Sequence, residues 1–542
     1  MNIKKLVLVA SGALGAGLLA CSSTDSSGPS GPVAVTSVAP DHGTARGGDT
    51  ITIVGSGFGS APTVHFGTGQ ATVQSATDTQ IVALAPKGTA GPVDVEVDVG
   101  SSSGKLNQSF TYEALPMSFL DSSWTSLASY LVAGAGAASA DVNGDGAIDV
   151  LQAAGTEGVL VWTNDKKGNL GAPKLVTLPT IPAADATSKP TPTDARSLAA
   201  GDFDGDGKID LYVGTGSGTP NVLLLGDGKG GFIPSKVALP ALVGTNETVV
   251  AADLDGDKDL DLVLVGVGVT AKDPPQVAIL SNDKGKLTDV TKQLAGGSFA
   301  ATGVAVGDVD KDGDLDLFFG VDTQSSRLYV NDGKATFQHA SPDALPTDAL
   351  NAGVPAMGDL DGNGTVDIYV PSSGQDHYLS NDGTGIFTDL STLRLGQENS
   401  NGASASLVDF DMDGRLDVLV IDRTGNTRLY RNDTSNRLFD YTDQIVGAMS
   451  DVSDAALTVG DFDADGDLDI FVSRADLAPP TVLLNAAPIA ATDGDGDGIP
   501  DQTDDCPTIP DPEQTNFDSL SMHCYSGMCC KATTGCTLYA HG

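Results

Sequence analysis

The chain has 542 residues and a formal charge of −42, from 71 acidic and 29 basic side chains. Such a balance leaves no basic stripe to neutralise phosphates, which excludes nucleic acid as a partner. An apolar content of 40% can fill a large core and excludes wholesale disorder. Glycine is abundant, at 67 residues, and charged residues make up only 18%, which fits many short strands and tight turns.

The first residues read as a targeting segment. Lys4 and Lys5 form a charged start, and Leu6 to Gly17 form an apolar stretch too short to span a bilayer. Leu18-Leu19-Ala20-Cys21 follows and resembles the lipobox of bacterial lipoproteins. The resemblance implies that residues 1–20 are a signal peptide and that Cys21 is the lipid attachment site. Buried acyl chains contribute about 0.8 kcal/mol per CH₂, enough together to hold the chain to a membrane. Ser22 after the cysteine implies the outer membrane of a bacterial cell envelope. Residues 21–32, rich in Ser, Gly and Pro, read as a flexible tether.

Residues 33–113 form a separate small unit. Ile51 and Ile53, then Val93, Val95 and Val97, alternate as strands do, and Gly47-Gly48 marks a turn. Val38-Ala39-Pro40, Gly55-Ser56-Gly57-Phe58, Val64-His65-Phe66-Gly67 and Phe110-Thr111-Tyr112 resemble the IPT/TIG domain. That family is an immunoglobulin-like β-sandwich, which implies a spacer or binding module and no chemistry.

From 114 to 488 one acidic loop recurs seven times, about fifty residues apart, beginning at Asp141, Asp202, Asp253, Asp308, Asp359, Asp409 and Asp461. A fixed period of this size marks a repeat architecture. Counted from the first Asp, positions 1, 3, 5 and 9 carry oxygen side chains in every copy. They are Asp141, Asn143, Asp145 and Asp149, then Asp202, Asp204, Asp206 and Asp210. Asp253, Asp255, Asp257 and Asp261 follow, then Asp308, Asp310, Asp312 and Asp316. The last three copies supply Asp359, Asp361, Asn363 and Asp367; Asp409, Asp411, Asp413 and Asp417; and Asp461, Asp463, Asp465 and Asp469. Hard oxygens at alternate positions suit calcium. Position 7 would offer a backbone carbonyl, so its side chain varies: Ala147, Lys208, Asp259, Asp314, Thr365, Arg415, Asp467. Position 6 needs a sharp turn and is Gly in six copies; Lys258 stands there in the third, where a distorted or weaker site is expected. The bland reading is a set of solvated acidic turns, but seven in register would repel unless neutralised.

Positions 8 and 10 are aliphatic throughout, so each loop runs into a strand with one buried face. Leu328-Tyr329-Val330-Asn331-Asp332-Gly333 and Tyr378-Leu379-Ser380-Asn381-Asp382-Gly383 mark later turns, giving four strands per repeat. The loops and these turns resemble the FG-GAP/VCBS family, whose best-known members are integrin α subunits. The resemblance implies a seven-bladed β-propeller with structural calcium in the loop joining the first two strands of each blade. The seventh repeat stops one strand short, and Met117-Ser118-Phe119-Leu120-Asp121 is expected to complete it. Closed this way, the ring leaves no unpaired edge at its seam.

Residues 489–518 resemble a thrombospondin type 3 repeat, which implies calcium ligands at Asp493, Asp495, Asp497, Asp501 and Asp504. Residues 519–542 form a Cys-rich tail of open fold. With Cys506, they hold Cys524, Cys529, Cys530 and Cys536, an odd set of five whose pairing the sequence leaves open. The expected fold class is all-β: an immunoglobulin-like sandwich, a seven-bladed propeller and a small calcium-binding tail. No His sits in a triad or ligand context, so no catalysis is expected. The expected role is a calcium-binding, lipid-anchored envelope platform for a protein or glycan ligand. A polysaccharide lyase or hydrolase on the same scaffold, or a purely structural envelope protein, is the alternative.

Overall fold

The computed structural model describes residues 32–114 except 46, and 119–121. It describes 136–485 except 168–169, 182–190, 217, 269–275, 322–324, 347–351, 396–399, 424–426, 433–436, 443–455 and 474–479. In the tail it describes 522–525, 528–531 and 535–536. The signal segment, Cys21, the tether, Cys506 and the thrombospondin-like stretch with Asp493, Asp495, Asp497, Asp501 and Asp504 lie outside the described residues. The chain divides into two compact units.

The first unit is a two-sheet sandwich. One sheet holds Ala34–Ala39, Thr50–Ser56, Gln80–Leu84 and Thr72–Ala76 in that order; the other holds His42–Thr44, Ser102–Glu113, Gly91–Val99, Thr63–Phe66 and Gly69–Gln70. The alternation read from the sequence places Ile51, Ile53, Val95 and Val97 inside, fully buried. Phe66 and Phe110 meet edge to face at 4.9 Å within this core.

The second unit is a ring of seven antiparallel sheets, the first six running in chain order. The first strands are Gly136–Ala140, Ala195–Gly201, Val243–Ala252, Gly303–Gly307, Ala356–Gly358, Ser400–Val408 and Leu457–Gly460. Each meets a second strand that begins at position 9 of the acidic loop, as in Ala140 opposite Asp149 and Gly307 opposite Asp316. The ring closes as the sequence suggested. Phe119–Asp121 pairs antiparallel with Thr481–Asn485, Phe119 opposite Asn485, and supplies the fourth strand of the seventh blade. One addition was not foreseen: Ser373–Gly374, in the fifth repeat, pairs with Ser400–Val408 and gives the sixth sheet a fifth strand.

The core is divided among the blades. Seven apolar clusters fill the seven gaps between neighbours, and one of them joins Val150, Leu160 and Trp162 of the first blade to Phe462, Phe471 and Val482 of the seventh. This corrects the expectation of second strands with a single buried face. Asp149–Ala153 is buried at every residue, as is Asp316–Gly320, because a blade has a neighbour on both sides. The position 9 aspartates are therefore buried too, all at 0 or 1% exposure. Among the described residues no helix is long and apolar enough to cross a membrane. The tail contributes three short paired strands, Met522–Tyr525, Met528–Lys531 and Gly535–Cys536.

Candidate metal centres

Each acidic loop joins the first and second strands of its blade and organises itself through carboxylate-to-backbone bonds. In the first loop, Gly144 and Asp145 donate their N–H groups to Asp141 Oδ1 at 2.8 and 3.1 Å, and Gly146 donates to Asp141 Oδ2 at 2.8 Å. The side chain at position 5 takes the N–H of position 7 in every copy: Ala147, Lys208, Asp259, Asp314, Thr365, Arg415 and Asp467 are the donors. Position 9 pins the loop to the blade. Its Oδ2 accepts the N–H of position 2, as in Val309 to Asp316 at 2.8 Å, in all seven loops. Its Oδ1 accepts an N–H from the end of the third strand, as in Asn331 to Asp316 at 2.8 Å, again in all seven.

The carboxylates converge. Oxygen atoms of positions 1, 3 and 9 lie within 4.8 Å of one another in Asp253/Asp255/Asp261, Asp308/Asp310/Asp316, Asp359/Asp361/Asp367 and Asp409/Asp411/Asp417; in the second loop the set is Asp202/Asp204/Asp206. Burial, followed by the repulsion of neighbouring carboxylates and against the pull of backbone N–H groups, pushes the position 9 groups up. They reach about 6 at Asp261 and Asp367, about 7 at Asp316, and about 8 at Asp417 and Asp469. Asp149 and Asp210 shift the same way. In the fourth loop, Asp310 Oδ1 is buried and accepts no hydrogen bond. An all-oxygen cluster with an orphaned carboxylate oxygen fits a hard divalent cation at positions 1, 3 and 9, with position 5 and the position 7 carbonyl beside them.

The third loop keeps the turn at position 6, though the N–H of Asp257 goes to Asp255 and not to the position 1 carboxylate that position 5 reaches in the other six loops. Lys258 takes the left-handed backbone, φ 77°, and its N–H reaches Asp253 Oδ2 at 3.0 Å, the bond that glycine makes elsewhere. The cost is backbone strain on a side-chain-bearing residue, on the order of 1 kcal/mol. Lys258→Gly is therefore expected to raise unfolding stability by about that amount in urea titrations, and an unchanged midpoint would contradict the strain. Position 4 carries the same requirement, which sequence reading missed. Gly144, Gly205, Gly256 and Gly362 have φ between 71° and 78°, while Lys311, Met412 and Ala464 accept φ of 57–62° without glycine. The glycine at position 4 in four copies was the available signal.

A second set of residues was seen only as turn formers. The Asn ending the third strand sends its Nδ2 across to the position 2 carbonyl of the preceding blade's loop. Asn282 reaches Phe203 O at 2.9 Å, Asn331 reaches Leu254 O at 2.7 Å, and Asn381 reaches Val309 O at 2.8 Å. Asn432 reaches Leu360 O, Asn485 reaches Phe410 O, and Asn164 carries the pattern across the seam to Phe462 O at 2.7 Å. Six buried asparagines thus tie acidic loop to acidic loop around the ring. In the second blade Gly226 replaces Asn, where a Cβ would stand 2.1 Å from Ile209 O; there Gly230 donates to Val142 O at 3.1 Å instead.

A model of the FG-GAP-like repeat matches residues 141–213, 202–264, 267–319, 317–370, 359–420 and 409–472, more than half of the chain and all seven loops. The chain belongs to the FG-GAP-like repeat family. Ahead of the FG-GAP-like repeats, the IPT/TIG domain model matches residues 32–112. The residues matched place the FG-GAP-like repeats on the ring and the IPT/TIG domain on the sandwich. No curated protein matches the chain. Among solved structures, a protein of unknown function from Bacteroides thetaiotaomicron is 14% identical, with 84% of this chain and 98% of that one covered and a TM-score of 0.41. A lectin of Agrocybe aegerita recognising non-reducing terminal N-acetylglucosamine is 15% identical over 78% of this chain and 98% of its own, with a TM-score of 0.40. An auxiliary nutrient binding protein of Bacteroides ovatus is 13% identical over 84% and 98%, with a TM-score of 0.29.

Proposed function

We propose that this chain is a calcium-stabilised, lipid-anchored scaffold of the bacterial cell envelope, with a propeller that presents a binding surface to a protein or glycan. The observation that carries it is the convergence of carboxylate oxygens within 4.8 Å in the second to sixth loops, together with a position 9 aspartate buried in all seven. Calcium would supply positive charge and flexible oxygen coordination at positions 1, 3, 5 and 9 and the position 7 carbonyl. Asp493, Asp495, Asp497, Asp501 and Asp504 would hold further calcium in the tail, and Cys21 would carry the lipid.

The loop ends of the blades are repetitive, so they suit a structural task. The opposite ends, which join second to third strands and blade to blade, differ from repeat to repeat, as Gly155-Thr156-Glu157, Gly218-Thr219-Pro220-Asn221 and Gln375-Asp376 illustrate. Variable loops on a rigid frame suit ligand recognition. A non-enzymatic reading is favoured because the position 1 and position 9 carboxylates each hold backbone N–H groups of their own loop and blade, which leaves them poorly placed as an acid and base pair.

The test uses cells expressing the full chain or Cys21→Ser. The unaltered chain is expected in the membrane fraction and the variant in the soluble fraction, and equal membrane association would remove the lipid anchor. The purified chain is then offered glycan arrays and envelope extracts with and without calcium. Saturable capture of a defined glycan or protein supports the platform, whereas turnover of a polysaccharide would make the chain an enzyme.

A further inference from the structure

We propose that the sixth loop carries its own counter-ion: the guanidinium of Arg431, seconded by Arg415, takes the place that a metal ion would hold there. The inference rests on the calcium reading of the other loops and sets this one apart from them.

Position 3 of that loop, Asp411, is 1% exposed along its side chain. Arg431 meets its Oδ2 with two donors, Nε at 2.6 Å and Nη2 at 2.5 Å, and the same Nη2 lies 3.8 Å from Asp413 Oδ2. Asp413, at position 5, is also paired with Arg415 from position 7. The Arg431 guanidinium is further placed by the ring of Tyr441, 5.8 Å away. Two of the loop's four carboxylates, Asp411 and Asp413, therefore face two cations that no accessible pH can discharge. An incoming metal ion would have to displace a two-pronged, buried, charge-assisted contact from the oxygen it needs.

The residue just before the bridging Asn decides this. In the third and fifth blades it is Ser281 or Ser380, whose hydroxyls lie 3.4 and 3.3 Å from the position 3 carboxylates Asp255 and Asp361 and bring no charge. In the fourth it is Val330, which brings no donor, and Asp310 Oδ1 is left without a partner. Lys208 in the second loop pairs with Asp206 at position 5, from an exposed flexible stem, and leaves position 3 alone. In the sixth loop a cation is seated on position 3 by two donors. The fourth loop depends most on an added ion and the sixth least, so the sixth blade keeps its loop pinned when calcium falls.

Calcium bound per full-length chain, counted by equilibrium dialysis at saturating calcium, tests this. Asp308→Asn is expected to lose one ion, Asp409→Asn to lose none, and the Arg415→Gln, Arg431→Gln double variant to gain one. Loss of one ion from Asp409→Asn, or no gain in the arginine variant, overturns the proposal while leaving calcium binding elsewhere intact. No loss from Asp308→Asn, or no calcium bound by the unaltered chain, defeats the calcium reading itself. Should Asp409→Asn fail to fold by circular dichroism, the arginine variant decides alone, since a gain supports the proposal and no gain overturns it.

Discussion

Stripped of divalent cations by a chelator at neutral pH, the chain is expected to melt on the order of 10 °C lower than in millimolar calcium. Extracellular-type sites bind at about 0.1–1 mM, so a site at tenfold saturation contributes about 1.4 kcal/mol by mass action. Six such loops, leaving out the arginine-filled sixth, sum to about 8 kcal/mol, comparable with the whole stability of an ordinary domain. The pH profile gives the effect a second signature. Burial pushes five position 9 carboxylates, Asp261, Asp316, Asp367, Asp417 and Asp469, up to between about 6 and about 8, and shifts Asp149 and Asp210 in the same direction. A raised group favours the folded state below its unfolded pKa, and that contribution is lost as pH climbs through the folded value. In chelator, therefore, melting temperature should fall steadily between about pH 4 and about pH 8. In calcium the ionised form is the one held, and the fall should flatten. Equal melting curves with and without calcium at pH 8 would remove the metal from the loops.

Asn381→Ala is expected to destabilise the ring by about 3 kcal/mol, more than any exposed substitution on the same blade. Asn381 is 2% exposed and makes three bonds: its Nδ2 donates to Val309 O at 2.8 Å and Val366 O at 3.0 Å, and its Oδ1 accepts from Gly383 N at 3.0 Å. Alanine removes all three and leaves two carbonyls at the junction of the fourth and fifth blades short of a donor, each costing about 1–3 kcal/mol when buried. The loss should persist in chelator, because the bond spans blades and does not need the ion. Urea unfolding with and without calcium measures it; a change below about 0.5 kcal/mol would show that the asparagine is a turn residue only.

Much of this was legible in one dimension because the information is local or periodic. The Asp and Gly spacing defines a loop within nine residues, and its recurrence counts the blades without knowledge of their packing. The closing strand was legible for the same reason: Phe119-Leu120-Asp121 has the form of the fourth strands at Phe387–Asp389 and Leu438–Asp440. What escaped depended on neighbours. The Asn at the end of the third strand looks like half of an Asn-Asp turn until the preceding blade's carbonyl stands 2.7–2.9 Å from it. Burial of the second strands on both faces also depends on neighbours, since hydrophobic alternation along one strand does not reveal a second sheet stacked over the polar-looking side.

By itself, then, the order of residues determined the repeat number, the all-β class, the sandwich ahead of the ring, and which oxygens could meet a cation, because each follows from spacing along the chain. Only the tertiary structure decided which carboxylates are buried, how the loops are tied into a circle, and that Lys258 keeps the turn intact. It also decided that Arg431 reaches Asp411, a contact between residues twenty apart in sequence. These are matters of distance between strands and blades, and folding alone sets them.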